Sequence, residues 1–197
     1  MNLVELENER EIVPEFVQRY YIEETFEILL NSISRQASLK KHSHLHAQFG
    51  YCFNGEFQFN LPNDSFIFKT NDSYVLKSNI EHSAIIIDDI YSLDFKFLNA
   101  EECLNNIKNN VWRQDDHVFN YVNKNYNIYL LKKTDSIISL SNTNDYFIVC
   151  KSNSELTICE QSFSIKPMRI YKIEEPNNSL TIQNNTETQV IVIQINK

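Results

Sequence analysis

The sequence predicts an all-β protein, and three features of its pattern support this. Short runs of apolar and β-favouring residues recur at intervals of roughly 8–12 residues between polar turn signals, which is typical of a sandwich or barrel. Apolar and polar residues alternate in Glu56–Leu61 and again in Leu93–Phe97, as in strands with one buried face. The same order of strands and turns occurs once in each half of the chain. This repetition favours a duplicated barrel.

The individual elements follow from these runs in chain order. We expect the acidic residues before Phe16 to form a short helix or to be disordered. The strands of the first half are FGYCF, EFQFNL, SFIFKT, SYVLKS, HSAIIID and IYSLDFKFL. Residues 99–112 (NAEECLNNIKNNVW) then place apolar side chains at helical spacing behind an Asn N-cap, which predicts a helix. Strands of the second half include YNIYLLKK, YFIVCK, ELTICE, RIYKIE and QVIVIQI.

This order predicts three segments. A first barrel covers residues 1–98, a helical connector covers 99–118, and a second barrel covers 119–197. The turn at Asn54–Gly55 in the first half corresponds to Lys151–Ser154 in the second.

The charge balance limits the classes of partner. Lys and Arg total 18 against 26 Asp and Glu, so the formal net charge is −8. Because no basic run interrupts this balance, we expect neither nucleic acid nor a membrane as partner. The longest apolar stretches are too short to span a bilayer, and the acidic start MNLVELENER does not resemble a secretion signal. We therefore expect a cytoplasmic protein.

The four cysteines and the two glycines carry different information. Cys52, Cys103, Cys150 and Cys159 show no CxxC spacing, so we expect small buried hydrophobic residues in a reducing compartment. A chain of this length would carry roughly 14 glycines at average usage, but this one has two, Gly50 and Gly55. Asn, which tolerates positive φ, replaces glycine in most turns. The two remaining glycines therefore indicate backbone positions that no side chain can occupy.

A cluster of histidines carries the candidate chemistry. His42 and His44 lie two residues apart, so on an extended strand they share a face. Gln48 follows four residues later, where a turn would bring its amide oxygen round as a third ligand, and His82 begins another strand and can supply the fourth. Three imidazoles and a neutral amide suit a first-row transition metal and leave coordination positions open. The alternative is that these are ordinary surface or core histidines of a barrel.

The two remaining histidines are expected to play lesser parts. His46 falls in the predicted turn, beside the site or on the surface. His117 lies near Asp115 and Asp116 in the connector, where we expect it to be solvated.

The run HSHLHAQFGYCFNGEF resembles the first motif of the cupin family. That motif reads His-x-His, three or four residues, an acid or Gln, six residues and Gly, which His42, His44, Gln48 and Gly55 match. The resemblance implies a double-stranded β-helix (an RmlC-like jelly roll) and, with the repeat, a bicupin whose second barrel is degenerate. That second barrel, residues 119–197, contains no histidine, so we expect it to be metal-free and structural.

The second cupin motif is only partly present. His82 stands at the position of the family's histidine. Asn71, Lys77, Asn79 and Ile86 stand where Gly, Pro, Gly and Asn are usual. The ligand is therefore retained, and the turn residues differ.

The resemblance also implies a function. With Gln48 in the place of the usual Glu, the first barrel is similar to the bicupin isomerase of bacilysin biosynthesis and to cupins that open unsaturated uronate rings. It implies a divalent metal (iron, manganese, nickel, cobalt or zinc) acting as a Lewis acid, and a homodimer. We expect an isomerase or lyase that moves a proton on a small polar metabolite, with Asp94, Lys96 or Tyr74 as candidate base.

Two other functions remain open from the sequence. One is an iron-dependent dioxygenase, and the other is a non-catalytic barrel that senses a small ligand. The absence of a basic helix-turn-helix pattern from the sequence counts against the sensor. Whatever the function, we expect Cys52, Ile86, Phe95 and Phe97 to line the first barrel and pack its core.

Overall fold

The structure is a computed structural model that describes residues 1–35, 37–98, 113–115, 118–122, 124–141, 144–174 and 179–196. The strands of its first half are β1 (Asn2–Leu6), β2 (Glu9–Val13), β3 (Phe16–Ile22), β4 (Phe26–Ile33), β5 (Ser38–His42), β6 (Ala47–Asn54), β7 (Glu56–Asn60), β8 (Ser65–Lys69), β9 (Ser73–Leu76), β10 (His82–Ile86) and β11 (Ile90–Phe97).

The strands of its second half are β12 (Arg113–Asp115), β13 (Val118–Val122), β14 (Tyr126–Leu131), β15 (Ser136–Ser141), β16 (Asp145–Cys150), β17 (Ser154–Ile158), β18 (Gln161–Ile165), β19 (Ile170–Glu174), β20 (Ser179–Asn184) and β21 (Val190–Ile195). Within the described ranges, no helix is long and apolar enough to cross a bilayer.

The chain forms two compact units. The N-terminal unit comprises Asn8–Val111, and the C-terminal unit comprises Met1–Glu7 together with Trp112–Lys197. Each unit contains one large and one small antiparallel sheet.

In the N-terminal unit the two sheets enclose an aromatic core. The large sheet has the strand order β2-β3-β4-β11-β6-β9, and the small sheet has the order β5-β10-β7-β8. Alternating residues of β7 point inward, so Phe57 and Phe59 are buried while their neighbours are half-exposed. They pack with Phe68 and Tyr74 into one cluster with residues of both sheets.

In the C-terminal unit the corresponding space is filled mainly by aliphatic side chains. The large sheet has the order β1-β19-β16-β21-β14-β13-β12, and the small sheet has the order β15-β20-β17-β18. Leu156, Ile158, Ile182 and Val192 are all fully buried in its core.

The two units repeat one strand order. The series β3-β4-β11-β6-β9 of the first corresponds to β13-β14-β21-β16-β19 of the second, and β5-β10-β7-β8 corresponds to β15-β20-β17-β18. Each strand of one series thus has a counterpart ten strands later. The prediction of an all-β duplicated barrel is confirmed.

The prediction for the N-terminal residues is wrong. The chain before Phe16 is neither helical nor disordered, because Asn2–Leu6 and Glu9–Val13 are strands. Strand β1 pairs with β19, so that Asn2 lies opposite Glu174, and this strand belongs to the C-terminal unit. Hydrogen bonding to the edge of an existing sheet overrides the weak local pattern. The helix predicted over residues 99–112 lies outside the described residues.

The expectation for the glycines is confirmed, and the expectation for the turn asparagines holds at two positions. Gly55 has a φ of +99°, and a Cβ there would lie 2.2 Å from the carbonyl oxygen of Asp89. At Gly50 a Cβ would lie 2.0 Å from Cζ of Tyr74. Asn71 and Asn79, at the usual glycine positions of the second motif, have φ values of 75° and 61°. Asn therefore takes the left-handed conformation in this motif. At five other described positions, a residue other than Asn or Gly has a positive φ.

Candidate metal centre

Three imidazoles meet at one end of the N-terminal unit. His42 ends β5 and is paired in register with His82, the first residue of β10. His44 lies two residues beyond the end of β5. The ring centroids of His42 and His82 lie 4.3 Å apart, and those of His44 and His82 lie 5.0 Å apart. One ring nitrogen from each residue lies within 4.8 Å of the others, so the group could hold a metal ion.

Hydrogen bonds determine which nitrogen each ring offers. The Nδ1 atom of every ring lies 2.8 Å from a backbone carbonyl oxygen, and the carbonyls belong to Lys40, His46 and Ile80. Because a carbonyl can only accept, each Nδ1 carries a proton, and Nε2 of each neutral ring keeps its lone pair. Metal-binding histidines are usually held by such outer hydrogen bonds.

The network around Gln48 sets the direction of its carboxamide. The Tyr74 hydroxyl donates to Oδ1 of Asp94 at 2.8 Å, and Nε2 of Gln48 donates to the Tyr74 oxygen at 2.7 Å. Because Tyr74 gives its one proton to Asp94, Gln48 must present its nitrogen to Tyr74. Its oxygen Oε1 then faces Nε2 of His44 at 2.9 Å.

The close approach of Gln48 Oε1 and His44 Nε2 indicates whether the site fits a cation. Burial lowers the pKa of His44, and the charge of Lys96 lowers it further, which favours the neutral ring. Oε1 of Gln48 and Nε2 of neutral His44 are then two acceptors that repel each other unless a cation lies beside both. Imidazole and amide donors suit a first-row transition metal, so these residues fit the metal that the sequence predicts.

A row of buried polar side chains holds Tyr74 and Asp94 in place. Nε2 of Gln18 donates to Oδ1 of Asn31 at 2.8 Å, and Nδ2 of Asn31 donates to Oδ2 of Asp94 at 2.9 Å. At the outer end, Nε of Arg10 donates to Oε1 of Gln18 at 2.9 Å. The sequence did not predict this row, although Asn31 directly follows the apolar residues Ile28–Leu30 and so marks a buried polar position.

A cavity of about 490 Å³ lies beside the imidazoles. His42, Gln48 and His82 line it, and the other lining residues form a polar wall and an apolar wall. The polar wall comprises Arg10, Gln18, Asn31, Ser92, Asp94 and Lys96; the apolar wall comprises Phe16, Ile33, Phe57, Phe59, Ile86 and Ile90. His42 is exposed and His82 is buried, at 4%, so the histidines extend from the surface into the interior.

The apolar wall shapes the properties of His82. Its ring stacks on Phe59, with 5.2 Å between centroids and 22° between planes. Burial lowers the pKa of His82 to about 4, and His42, His44 and Lys96 add to the effect. The ring is therefore neutral near pH 7, and its lone pair is available to a ligand.

The three candidate bases all face the cavity, but three of the four expected lining residues do not, and two of these lie on strand β11. Tyr74, Asp94 and Lys96 are lining residues. Because Asp94 and Lys96 point inward on β11, the alternating Phe95 and Phe97 point to the opposite face of the sheet. The expectation that these two phenylalanines line the barrel is therefore wrong, although both are buried, as expected.

The other predicted residues occupy simpler positions. Ile86 lines the cavity, and Cys52 is buried in the adjacent core. His46 lies in the bend before β6, where its carbonyl orients His44 and its Nε2 lies 3.9 Å from Oε1 of Glu27. His117 lies outside the described residues.

The C-terminal unit carries other residues at the corresponding register positions. Ser141 and Ser179, paired at the ends of β15 and β20, correspond to His42 and His82. Tyr146, opposite Gln194, corresponds to Gln48, which lies opposite Lys96. The Tyr146 hydroxyl donates to the carbonyl of Ser141. Hydroxyl groups thus occupy the places of two imidazoles, and an aromatic ring occupies the place of the carboxamide.

Comparison with solved structures shows which proteins share this fold. AerE from Microcystis aeruginosa matches over 96% of this chain and 97% of its own, with a TM-score of 0.74 and 15% identity. A cupin 2 conserved barrel domain protein from Leptotrichia buccalis matches over 95% and 92%, with a TM-score of 0.62 and 14% identity. The Escherichia coli pirin YhhW, in complex with nickel(II), matches over 95% and 94%, with a TM-score of 0.71 and 10% identity.

These similarities establish the fold, and the chemistry of the site has to be argued from its residues. No protein-family model matches the sequence, and no curated protein matches it either. The solved structures align over nearly their full length and ours, at identities that establish a shared fold alone. The chain is thus a two-barrel protein with the cupin fold.

Proposed function

We propose that the N-terminal unit is a metal-dependent enzyme that moves a proton on a small polar metabolite without redox chemistry. His42, His44, His82 and Gln48 would hold one divalent metal through three Nε2 atoms and one amide oxygen. When bound, the metal would supply a Lewis acid that polarises a carbonyl or carboxylate. The opposition of Gln48 Oε1 and His44 Nε2 at 2.9 Å is the observation that carries this proposal.

The cavity supports a proton transfer beside this centre. Among its described lining residues, Asp94 is the one carboxylate. Burial raises the pKa of Tyr74 well above its usual value, and the charge of Asp94 raises it further, so the phenol keeps its proton. We therefore assign the proton-accepting role to Asp94 and a positioning role to Tyr74.

The proposal also draws on one of the structural neighbours. Pirin YhhW was solved in complex with nickel(II), which makes nickel a suitable first metal to test alongside zinc, manganese, cobalt and iron. Nitrogen and amide-oxygen donors accept all five of these ions.

A hydrogen-exchange experiment tests the proposed reaction. The protein is loaded with zinc or nickel and incubated in D₂O with a panel of small 2-oxo acids and unsaturated uronates, and deuterium uptake at carbon is followed by NMR. We expect uptake or isomerisation with the loaded protein, and at least about 100-fold less with Asp94→Asn. The variant's metal content is measured as a control for folding.

Other outcomes would favour the other functions. Oxygen consumption with iron and no reaction with zinc would contradict the proposal in favour of a dioxygenase. Binding of a panel member without any turnover, under all five metals, would contradict it in favour of a ligand-binding barrel.

A further inference from the structure

We infer that the substrate carries an anionic group, a carboxylate or its chemical equivalent, which binds between the metal position and the ammonium group of Lys96. This inference rests on the proposed function and adds the substrate class. It derives from the position of Lys96, the charges around the cavity and the neutrality of the ligand set.

The strand register places Lys96 beside the metal ligands. On β11 it lies directly opposite Gln48 of β6, and directly opposed residues of an antiparallel pair point to the same face, with Cβ atoms roughly 5 Å apart. Lys96 lines the cavity and is half-buried. Its charge acts on both His44 and His82.

Lys96 forms no ion pair with any carboxylate of the described residues. Glu27 lies opposite it on β4, but this carboxylate lies toward His46, with Oε1 3.9 Å from Nε2. Asp94 lies on the same face of β11, but its two oxygens accept hydrogen bonds from Tyr74 and Asn31. The N–H groups of the Lys96 ammonium can therefore donate to an acceptor on a bound ligand.

Basic residues outnumber acidic residues around the cavity. Arg10 and Lys40 also line it, and Asp94 is the one acidic residue among the described lining residues. The three imidazoles and the carboxamide are neutral donors, so a divalent ion would keep its full charge. A half-buried ammonium beside such an ion is repelled unless an anion lies between them. The charges around the cavity therefore favour the binding of an anion.

The test uses Lys96→Met, Lys96→Arg and, as a matched control, Lys69→Met. Lys69 is exposed and pairs with Glu56 at 3.2 Å, so its replacement removes the same charge away from the cavity. Cobalt(II) is titrated into each protein in an anion-poor buffer. Acetate and its neutral analogue acetamide are then titrated into the cobalt-loaded protein, and the visible spectrum is recorded.

We expect Lys96→Met to weaken acetate binding at least about tenfold, since a hydrogen bond to a charged group is lost. Acetamide binding should change little. Cobalt binding without acetate should become several-fold tighter, because a neighbouring cation is removed. Lys96→Arg and Lys69→Met should behave like the wild type in both titrations.

The outcomes distinguish this inference from the proposed function. If cobalt binds to all variants but acetate affinity is the same with and without Lys96, the inference is overturned and the metal site stands. If the wild-type protein binds no cobalt, the proposed function fails, and the inference fails with it.

Discussion

Tyr74 is the residue on which the direction of the Gln48 carboxamide depends. Its hydroxyl donates to Asp94 and accepts from Gln48, so the amide oxygen is left to face His44. Without this hydroxyl, nothing among the described residues would favour the oxygen over the nitrogen at that position. The buried phenol would thus act on a bound metal through another side chain.

We predict that Tyr74→Phe weakens nickel binding by about 10–100-fold, as expected for the loss of a group that orients a ligand. The measurement is a competition titration against a chelator, with circular dichroism to show that the fold is retained. Tyr51→Phe is the matched control, since Tyr51 is another buried tyrosine of the same sheet, and its hydroxyl lies 3.4 Å from Asn71. Equal nickel affinity in wild type and Tyr74→Phe would refute the role given to this hydroxyl.

Gly50 makes room for the same ring. It lies opposite Tyr74 in the register of β6 and β9, and a Cβ would lie 2.0 Å from the ring. We predict that Gly50→Ala lowers the free energy of unfolding by about 1–3 kcal/mol, the usual cost of overpacking, and weakens nickel binding. In a double-mutant cycle with Tyr74→Ala, urea titration should show that the second change removes most of the effect of the first. Additive effects would mean that no clash exists.

At the level of elements, the turn between β9 and β10 holds the histidine segment. Asn79 has a φ of 61°, and its backbone N–H donates to the carbonyl of His44 at 2.8 Å. The turn therefore requires a residue that tolerates the left-handed region, and it fixes one of the proposed ligands. This explains why the usual glycine can be replaced by Asn and still leave the ligand geometry intact.

We predict that Asn79→Ala lowers the free energy of unfolding by about 1 kcal/mol, because an alanine Cβ disfavours positive φ. Asn79→Gly should be close to neutral, since glycine adopts this conformation freely. Urea denaturation of both variants provides the measurement. Equal destabilisation by Ala and Gly would show that the Asn side chain, and not the backbone conformation, matters at this position.

At the level of the whole molecule, the two units share a strand order but have different interiors. Burial raises the pKa of the Cys150 thiol to about 12, and its side chain is fully buried in the aliphatic core of the C-terminal unit. Cys52 is buried in the N-terminal unit, and Cys159 is half-exposed. The described thiols therefore report on different degrees of opening.

We predict that iodoacetamide at pH 8 modifies Cys159 rapidly and modifies Cys52 and Cys150 only when their units open. Peptide mass spectrometry after timed labelling assigns each site. Added nickel should slow the labelling of Cys52, because a ligand bound to the folded unit reduces its opening. Labelling of Cys150 as fast as Cys159 would contradict the packed core described here.

The sequence predicted those parts of the molecule whose signals are local. The His42–His44 spacing, the alternation in β7 and the turn asparagines can all be seen within a few residues. The row from Gln18 to Gln48 could not be predicted, because its members lie on different strands and meet only through the register. Strand β1 was missed for the same reason, since its partner Ile170–Glu174 lies near the other end of the chain.

Metal titration of variants at two neighbouring histidines shows whether the three imidazoles and Gln48 bind a cation. Nickel(II) is titrated into the metal-free wild-type protein, His44→Ala and His46→Ala, and the bound equivalents are measured by calorimetry and elemental analysis. The structure predicts one equivalent in the wild type and in His46→Ala, whose backbone carbonyl is retained, and none at the same concentrations in His44→Ala. Equal binding by His44→Ala and the wild type, or no binding by the wild type, would contradict the account.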